Sequence, residues 1–320
     1  MKKSLQEIWE LLTDAPFEPG RTYKRVRFDT DCRAEVFIAM HRSGERCLIL
    51  HEAAPINKAI DRERLCLRYD KEFPGLVLAL RDNAYIDLFD DLISSMYEVV
   101  KDVASARHAV ENFRAHFIKW ATLFDSQFSP ELDDDAVMGL VGELKVLESL
   151  LSSADEATVN ELLESWRGPY DEAHDFIFDD KTVEVKTVGM KSRQISINSL
   201  HQLTAVTGKG LDLLVNTALR DNENGDSLAS MIAKIRATIT SLVGDVTILY
   251  RALSQKGLTL QNLKDYEHLR FSFPAEDVYD VLLEGFPKLD TDNVLKAISS
   301  VKYNLSLPAL KPFIRSSSEP

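Results

Sequence analysis

The sequence lacks any apolar run long enough to cross a membrane. Its longest runs, residues 76–80 and 211–215, fall far short of the roughly 20 residues that a bilayer-spanning helix needs. The first residues carry the lysines of a signal peptide, but residues 4–13 mix glutamate and glutamine among the apolar side chains. We therefore expect a cytoplasmic protein without a membrane-spanning helix, with a short amphipathic helix at residues 4–13.

Cysteine is scarce and positive charge is in deficit. Cys32, Cys47 and Cys66 are an odd number without C-x-x-C spacing, so we expect reduced, buried thiols and no zinc site. The net charge of −13 argues against a broad surface for nucleic acid, because phosphate contacts come from clustered Lys and Arg. Any such surface must therefore be local. Repeats and low-complexity segments are also absent from the sequence.

The length of 320 residues suffices for two domains. Short β-rich runs separated by turn residues predict an antiparallel sheet, and a 3.6-residue period between residues 85 and 124 then predicts two helices. The predicted strands are residues 23–28, 35–41, 46–51, 65–69 and 76–80. A proline followed by a run of acids at residues 129–135 indicates a linker and a helix start. We predict a β-rich N-terminal domain with trailing helices over residues 1–128, serving recognition or assembly, and a second domain over residues 129–320.

The second domain mixes helices and strands in an order that fits an α/β fold, which makes the whole chain α+β. The predicted helices end near residues 151 and 166 and span residues 227–242. The predicted strands are a pair at residues 175–188 and single strands near residue 195 and at residues 211–218, 269–273 and 301–307.

Charged residues lie on one face of the predicted strand pair. In a hairpin with a two-residue turn, Phe176 faces Val183 and Asp175 faces Glu184, with Cβ atoms about 4.5–5.5 Å apart. Alternation along the strand places Lys186 on the same face as Glu184. Two buried carboxylates would need a cation, and Mg²⁺ prefers such oxygen ligands. The hairpin alone leaves two interpretations open, a metal site or the solvated outer face of an ordinary hairpin.

Three features around the hairpin bear on that choice. Glu143 falls inside the apolar arc of its helix, where a carboxylate needs a partner, although an edge glutamate that reaches solvent has the same spacing. Residues 181–210 hold five Lys or Arg and one acid, a local charge of +4 that suits phosphate, although chance clustering gives the same count. A strand runs into a predicted helix capped by Asn198 or Ser199. Gln202 lies near the start of that helix, either as a site residue or as an ordinary exposed polar residue.

These motifs follow one another in a fixed order. The ordered elements are Gly142-Glu143, Trp166-Arg167-Gly168-Pro169, His174-Asp175-Phe176, Glu184-Val185-Lys186, and Ile195-Ser196-Ile197 with Gln202-Leu203. The order resembles the PD-(D/E)XK motif protein family of bacterial and phage-defence gene clusters, most firmly over residues 137–205. His174 departs from the family, which often has proline there, but proline at that position is structural.

The resemblance implies a restriction endonuclease-like fold, with a mixed central sheet flanked by helices. The catalytic residues it implies are Asp175, Glu184, Lys186, Glu143 and Gln202, with Lys186 as the catalytic lysine and Gln202 as an accessory polar group. The metal ligands it implies are Asp175, Glu184 and the backbone carbonyl of Val185, with Glu143 as a further candidate. Mg²⁺ is the implied cofactor, and Mn²⁺ is its expected substitute.

We therefore expect a Mg²⁺-dependent DNA endonuclease of a restriction or phage-defence system. The alternatives are a catalytically silent subunit of the same fold that binds nucleic acid or a partner, and a purely structural subunit. The expected partners are DNA and other subunits of the defence system, with a homodimer as one assembly that fits and no membrane. The residues expected to contact nucleic acid are Lys181, Lys191, Arg193 and Lys209.

Overall fold

The chain divides into two compact units, Met1–Gln127 and Phe128–Pro320. The structure is a computed structural model that describes residues 4–51, 53, 55–56, 58–103, 105–125, 131–290, 293–295, 297–298 and 300–318. The predicted boundary between residues 128 and 129 lies outside the described residues, next to the division between the two units. Within the described ranges, no helix combines the length and apolarity that crossing a bilayer requires.

The N-terminal unit contains one antiparallel sheet with helices before and after it. Its elements are α1 (Leu5–Asp14), β1 (Tyr23–Arg27), β2 (Val36–His41), β3 (Arg46–His51), β4 (Ile60–Asp61), β5 (Leu65–Asp70), β6 (Gly75–Leu80), α2 (Ile86–Val100) and α3 (Ala106–Phe124). The strand order is β1-β2-β3-β6-β5-β4, and every pairing is antiparallel. This confirms the predicted sheet and its trailing helices, apart from the short strand β4.

Helix α1 is fixed at both its start and its middle. Ser4 caps the helix by accepting from the backbone N–H of Glu7, whose side chain accepts from the Ser4 N–H in return. The indole N–H of Trp9 donates to Asp90 of α2 at 2.8 Å. The amphipathic helix predicted near the N-terminus is therefore confirmed. The three cysteines are free and buried, as predicted.

The C-terminal unit alternates helices with strands. Its elements are α4 (Asp134–Leu151), α5 (Val159–Ser165), β7 (Phe176–Ile177), β8 (Lys181–Gly189), β9 (Gln194–Ile197), β10 (Gly210–Arg220), α6 (Leu228–Ser241), α7 (Val246–Gln255), β11 (Phe271–Asp280), β12 (Tyr303–Ser306), α8 (Leu307–Leu310) and β13 (Ile314–Ser318). Five strands form a mixed sheet in the order β13-β11-β10-β8-β7, in which only the β8–β10 pairing is parallel. Strands β9 and β12 pair separately. The predicted α/β fold class is confirmed.

Both faces of the central sheet are covered. On one face α4 approaches β8 so closely that a methyl group on Gly142 would collide with the Thr187 side chain. The Asn216 amide of β10 donates to the Gly142 carbonyl at 3.2 Å. The other face packs an apolar cluster that includes Ile195 and Leu213. Side chains of β8 are therefore enclosed on both sides of the sheet.

Several details differ from the sequence prediction. The helix expected after β9 is a 3-10 turn at Leu200–Leu203, and the Ser199 side chain makes no capping hydrogen bond. Strand β11 is longer than predicted because its acidic, half-exposed second half hides the apolar pattern. Helix α7 and strand β13 were not predicted. All five residues of β13 are exposed, so no alternation marks the strand in the sequence.

Candidate active site

The hairpin of β7 and β8 has the predicted register. Phe176 pairs with Val183 and Ile177 with Thr182, which confirms the two-residue turn. Asp175 immediately precedes β7, and its Oδ2 accepts a hydrogen bond from the Val185 backbone N–H at 2.8 Å. The carboxylate of Asp175 therefore lies over the middle of β8.

Glu184 lies in the covered part of β8. It is only 2% exposed, and it lies beside Leu213 in the parallel pairing with β10. Lys186 Nζ lies 2.7 Å from Glu184 Oε1, and the Lys186 side chain is 15% exposed. The alternative in which Glu184 and Lys186 occupy a solvated outer face is therefore wrong, because burial of both side chains removes most of that solvent.

Glu143 points from α4 toward the same hairpin. The indole N–H of Trp166 donates to Glu143 Oε2 at 2.8 Å. Trp166 in turn forms a β-bridge with Phe176, which places the indole next to β7. Glu143 is therefore half-buried with a hydrogen-bond partner inside the unit. The buried indole of Trp166 holds the Glu143 carboxylate in one position. This supplies the partner that a carboxylate in the apolar arc of a helix needs.

Gly168 brings the carboxylates of Glu143 and Asp175 together. The backbone N–H groups of Arg167 and Gly168 donate to the Asp175 carbonyl at 2.7 and 3.1 Å. A methyl group on Gly168 would lie against Glu143 Oε2 and 2.7 Å from Asp175 Oδ1, closer than side chains tolerate. Only glycine leaves room for both acids, which gives the Trp166–Pro169 motif a physical role.

The three acids are short of positive charge. Burial, then the charge of Asp175, raise the pKa of Glu184 to about 8. Burial and the charge of Asp175 likewise raise the pKa of Glu143, against the hydrogen bond from Trp166. Burial also raises the pKa of Asp175, although the Val185 N–H and Lys186 act the other way. A cation at this point would offset the cost of ionising all three acids.

The donor set fits a hard divalent cation. Asp175, Glu184 and the Val185 carbonyl offer oxygen ligands, which Mg²⁺ prefers over the nitrogen and sulfur ligands of zinc sites. No group of three or more His, Cys, Asp or Glu among the described residues is spaced as a ready-made metal site. The predicted set needs only two carboxylates and one carbonyl. The metal and its ligands remain predictions.

The remaining predicted site residues are dispersed. Gln202 Oε1 accepts from the Asn198 N–H at 2.7 Å, so its amide stabilises its own turn. Lys181 Nζ pairs with Asp212 Oδ2 at 3.2 Å, and Lys209 Nζ donates to the Phe178 carbonyl at 2.5 Å. The exposed residues of the basic group are Lys191 and Arg193, in the turn between β8 and β9. Their contact with nucleic acid remains a prediction.

Sequence reasoning missed Lys256. This residue directly follows α7, and its charge lowers the pKa of both Glu143 and Asp175, against the effect of burial. It lies more than sixty positions from either hairpin strand, so no local spacing links it to the site. Its helix was also not predicted.

A mixed sheet that presents an aspartate and a Glu-x-Lys strand next to a helix glutamate defines the PD-(D/E)XK nuclease-like class. The chain belongs to the family described as "Putative PD-(D/E)XK family member" (DUF4420), whose sequence profile matches residues 5–308. Comparisons with curated proteins and with solved structures gave no match. The family match spans both units, so the β-rich N-terminal unit belongs to the family as much as the site does.

Proposed function

We propose that the chain is a metal-dependent nuclease that hydrolyses phosphodiester bonds in DNA. The observation that carries this proposal is that Asp175, Glu184, Glu143 and Lys186 lie close together in a part of the unit largely covered by protein. Burying charges without full compensation is costly, and such sites are typical of catalysis. The family's nuclease-like fold supports the same assignment.

In this proposal Asp175, Glu184 and the Val185 carbonyl hold Mg²⁺, or Mn²⁺ in its place, with Glu143 as an adjoining acid. The ion, when bound, supplies a positive charge for the scissile phosphate and lowers the pKa of a water. Its charge also favours the ionised forms of Asp175 and Glu184, whose pKa values burial raises.

Side chains and backbone groups of the chain position the reacting groups. Lys186 holds a positive charge 2.7 Å from Glu184 Oε1, where it stabilises negative charge that develops on the phosphate or orients the attacking water. The Val185 N–H fixes Asp175, and the Trp166 indole fixes Glu143. These two hydrogen bonds keep the acids in place without substrate, which lowers the cost of organising the site during the reaction.

We further propose that the nuclease acts in restriction or phage defence, together with other protein subunits. The order of motifs that resembles proteins of phage-defence gene clusters supports this biological role. The N-terminal unit would then serve recognition of DNA or assembly with those subunits. A net charge of −13 is consistent with DNA binding by a local surface only.

The test is cleavage of supercoiled plasmid with Mg²⁺ or Mn²⁺, by the full chain alone and with its partner subunits. Wild type should cut, and Asp175→Ala, Glu184→Ala and Lys186→Ala should each lose about 100-fold or more in rate. Lys145→Ala is the matched control, because Lys145 also pairs with a glutamate, Glu148, at 2.8 Å. An inert wild type in the presence of its partners, or variants that cut equally well, would contradict the proposal.

One observation favours the alternative of a subunit that binds without cutting. Lys186 already pairs with Glu184, and no three-residue metal group is preformed in the described part of the chain. Calorimetry with Mn²⁺ separates the two candidates. Heat that disappears in Asp175→Ala is expected for the nuclease, whereas a silent subunit should give the same trace for both proteins.

A further inference from the structure

Lys256 is held at a fixed point by the end of α7. It is the C-cap residue, and the next residue, Gly257, has a φ of +69°, which side chains disfavour. The Leu258 N–H donates to the Leu253 carbonyl at 3.1 Å, and the buried amide of Asn262 donates to the Gly257 carbonyl at 2.9 Å. The backbone of Lys256 is therefore ordered by contacts that do not involve its ammonium.

The ammonium itself pairs with an exposed acid. Lys256 Nζ lies 2.5 Å from Asp171 Oδ1, and the two side chains are 30% and 86% exposed. Asp171 has a φ of +56° at the end of the 3-10 turn Gly168–Tyr170, a conformation that aspartate tolerates better than most residues. An ion pair with so exposed a partner is weak, so another anion can replace Asp171.

This ion pair adjoins the acids of the site. The turn that ends at Asp171 begins at Gly168, where a methyl group would touch both Glu143 and Asp175. The charge of Lys256 acts on the same two acids, whereas Lys186 contacts Glu184. The site therefore has a second lysine, supplied by a different element, to which the hydrolysis described above assigns no task.

We propose that Lys256 binds a backbone phosphate of duplex DNA, and that Asp171 holds its ammonium until DNA arrives. This inference rests on the proposed nuclease function and assigns that site a DNA-positioning residue. A lysine ammonium is a compact point charge that suits a phosphate oxygen. The phosphate replaces the Asp171 carboxylate as the partner of the ammonium, so no buried charge loses its partner in the exchange.

Substitutions of Lys256 and of Asp171 should change the affinity for DNA in opposite directions. Binding of a short DNA duplex is measured in the presence of Mn²⁺ with Lys186→Ala as the background, which prevents cutting. Adding Lys256→Ala should raise Kd on the order of tenfold. It should also reduce the slope of log affinity against log salt by about 0.9, the value for one lost phosphate contact. Asp171→Asn should lower Kd, because it frees the ammonium and asparagine also tolerates the positive φ.

The matched control is Lys234→Ala, which removes another lysine–aspartate pair of the same unit, with Asp226 at 2.7 Å. Its Kd and salt slope should remain those of the background. If Lys256 has a purely structural role, Lys256→Ala and Asp171→Asn should both weaken DNA binding and leave the salt slope unchanged. That result would contradict the role proposed for Lys256 but not the proposed nuclease function. If the background protein and wild type bind no DNA and wild type does not cut, the nuclease function itself fails.

Discussion

Glu184 and Asp212 are both acids on neighbouring strands of the central sheet, and each is 2% exposed. Asp212 lies between two cations, with Lys181 Nζ at 3.2 Å and Arg315 Nη1 at 2.6 Å. Among the described residues, the cation in contact with Glu184 is Lys186, and two further acids lie nearby. The two acids are therefore equally buried, but cations outnumber acids around Asp212 and acids outnumber cations around Glu184.

The difference teaches that burial of an acid does not by itself mark a functional site. Asp212 is compensated within the chain, and Arg315 also contacts Asp280, so this group links β10, β11 and β13. The acids around Glu184 lack such compensation, which leaves capacity for a cation from outside. Substitution of Asp212 should consequently reduce stability and leave cleavage unchanged. Substitution of the acids around Glu184 should chiefly reduce cleavage.

The largest expected effect comes from filling the space between the site acids. Gly168→Ala places a methyl group against Glu143 and 2.7 Å from Asp175 Oδ1, so the acids must move apart. We expect plasmid cleavage to fall about 100-fold or more, because a ligand displaced by 1 Å costs this much. The cost in free energy of unfolding should be about 1–3 kcal/mol.

Gly139→Ala in α4 is the matched control, since nothing lies within 4 Å of the added methyl group. It should leave cleavage unchanged and stabilise the helix by about 0.5–1 kcal/mol. Retained cleavage in Gly168→Ala would show that the close approach of the two acids is unimportant for the reaction.

The second effect concerns added metal. Mg²⁺ at 100 times its Kd should raise the free energy of unfolding by about 2.7 kcal/mol, because it binds only the folded site. Thermal melting of wild type and of Asp175→Asn, with and without Mg²⁺, measures this. The variant should show no rise, and Asp212→Asn should keep it. An equal rise in both variants would place the metal elsewhere.

The third effect concerns the compensated acid. Asp212→Asn should lower the free energy of unfolding by about 1–2 kcal/mol. This loss is smaller than for a fully buried ion pair. Lys181 and Arg315 are nearly half exposed, so water can solvate their charges when the aspartate is removed. Denaturant unfolding measures the loss, and cleavage should stay close to that of wild type. Lost cleavage with intact stability would reverse the roles of the two acids.

The last prediction concerns the pH dependence of stability in the metal-free protein, whose slope at any one pH is small. Glu184 has a pKa of about 8 when folded and 4.5 as its ordinary value, so the folded state binds the proton more tightly. The stabilisation is complete below about pH 4.5 and is lost as the pH rises through 8, at no more than about 1.4 kcal/mol per pH unit for one proton. Glu184→Gln should flatten this fall in denaturant unfolding measured between pH 5 and 8. An unchanged slope would mean that Glu184 does not titrate in this range.

The sequence predicted the parts of the site that depend on local spacing. The period of two along a strand correctly placed Asp175, Glu184 and Lys186 together. The helical period placed Glu143 in the apolar arc but left a glutamate that reaches solvent open. The order of strands and helices gave the fold class for the same reason, because apolar periodicity marks each element separately.

Long-range contacts could not be read from the sequence. The hydrogen bond from Trp166 to Glu143 and the approach of Lys256 depend on how helices pack, which no local spacing determines. The two-cation environment of Asp212 was missed because Arg315 lies on an exposed strand without alternation. Gln202 was assigned from its order in the motifs alone, and its amide bonds to its own turn.

The hydrogen bond between Trp166 and Glu143 also makes the site optically visible. Trp166 is 1% exposed, and its indole N–H points at an acid whose ionisation depends on its neighbours. Any event that changes the charge on Glu143 changes the electric field on the indole ring, and with it the colour of the emitted light. The protein thus carries a native fluorophore inside its candidate site.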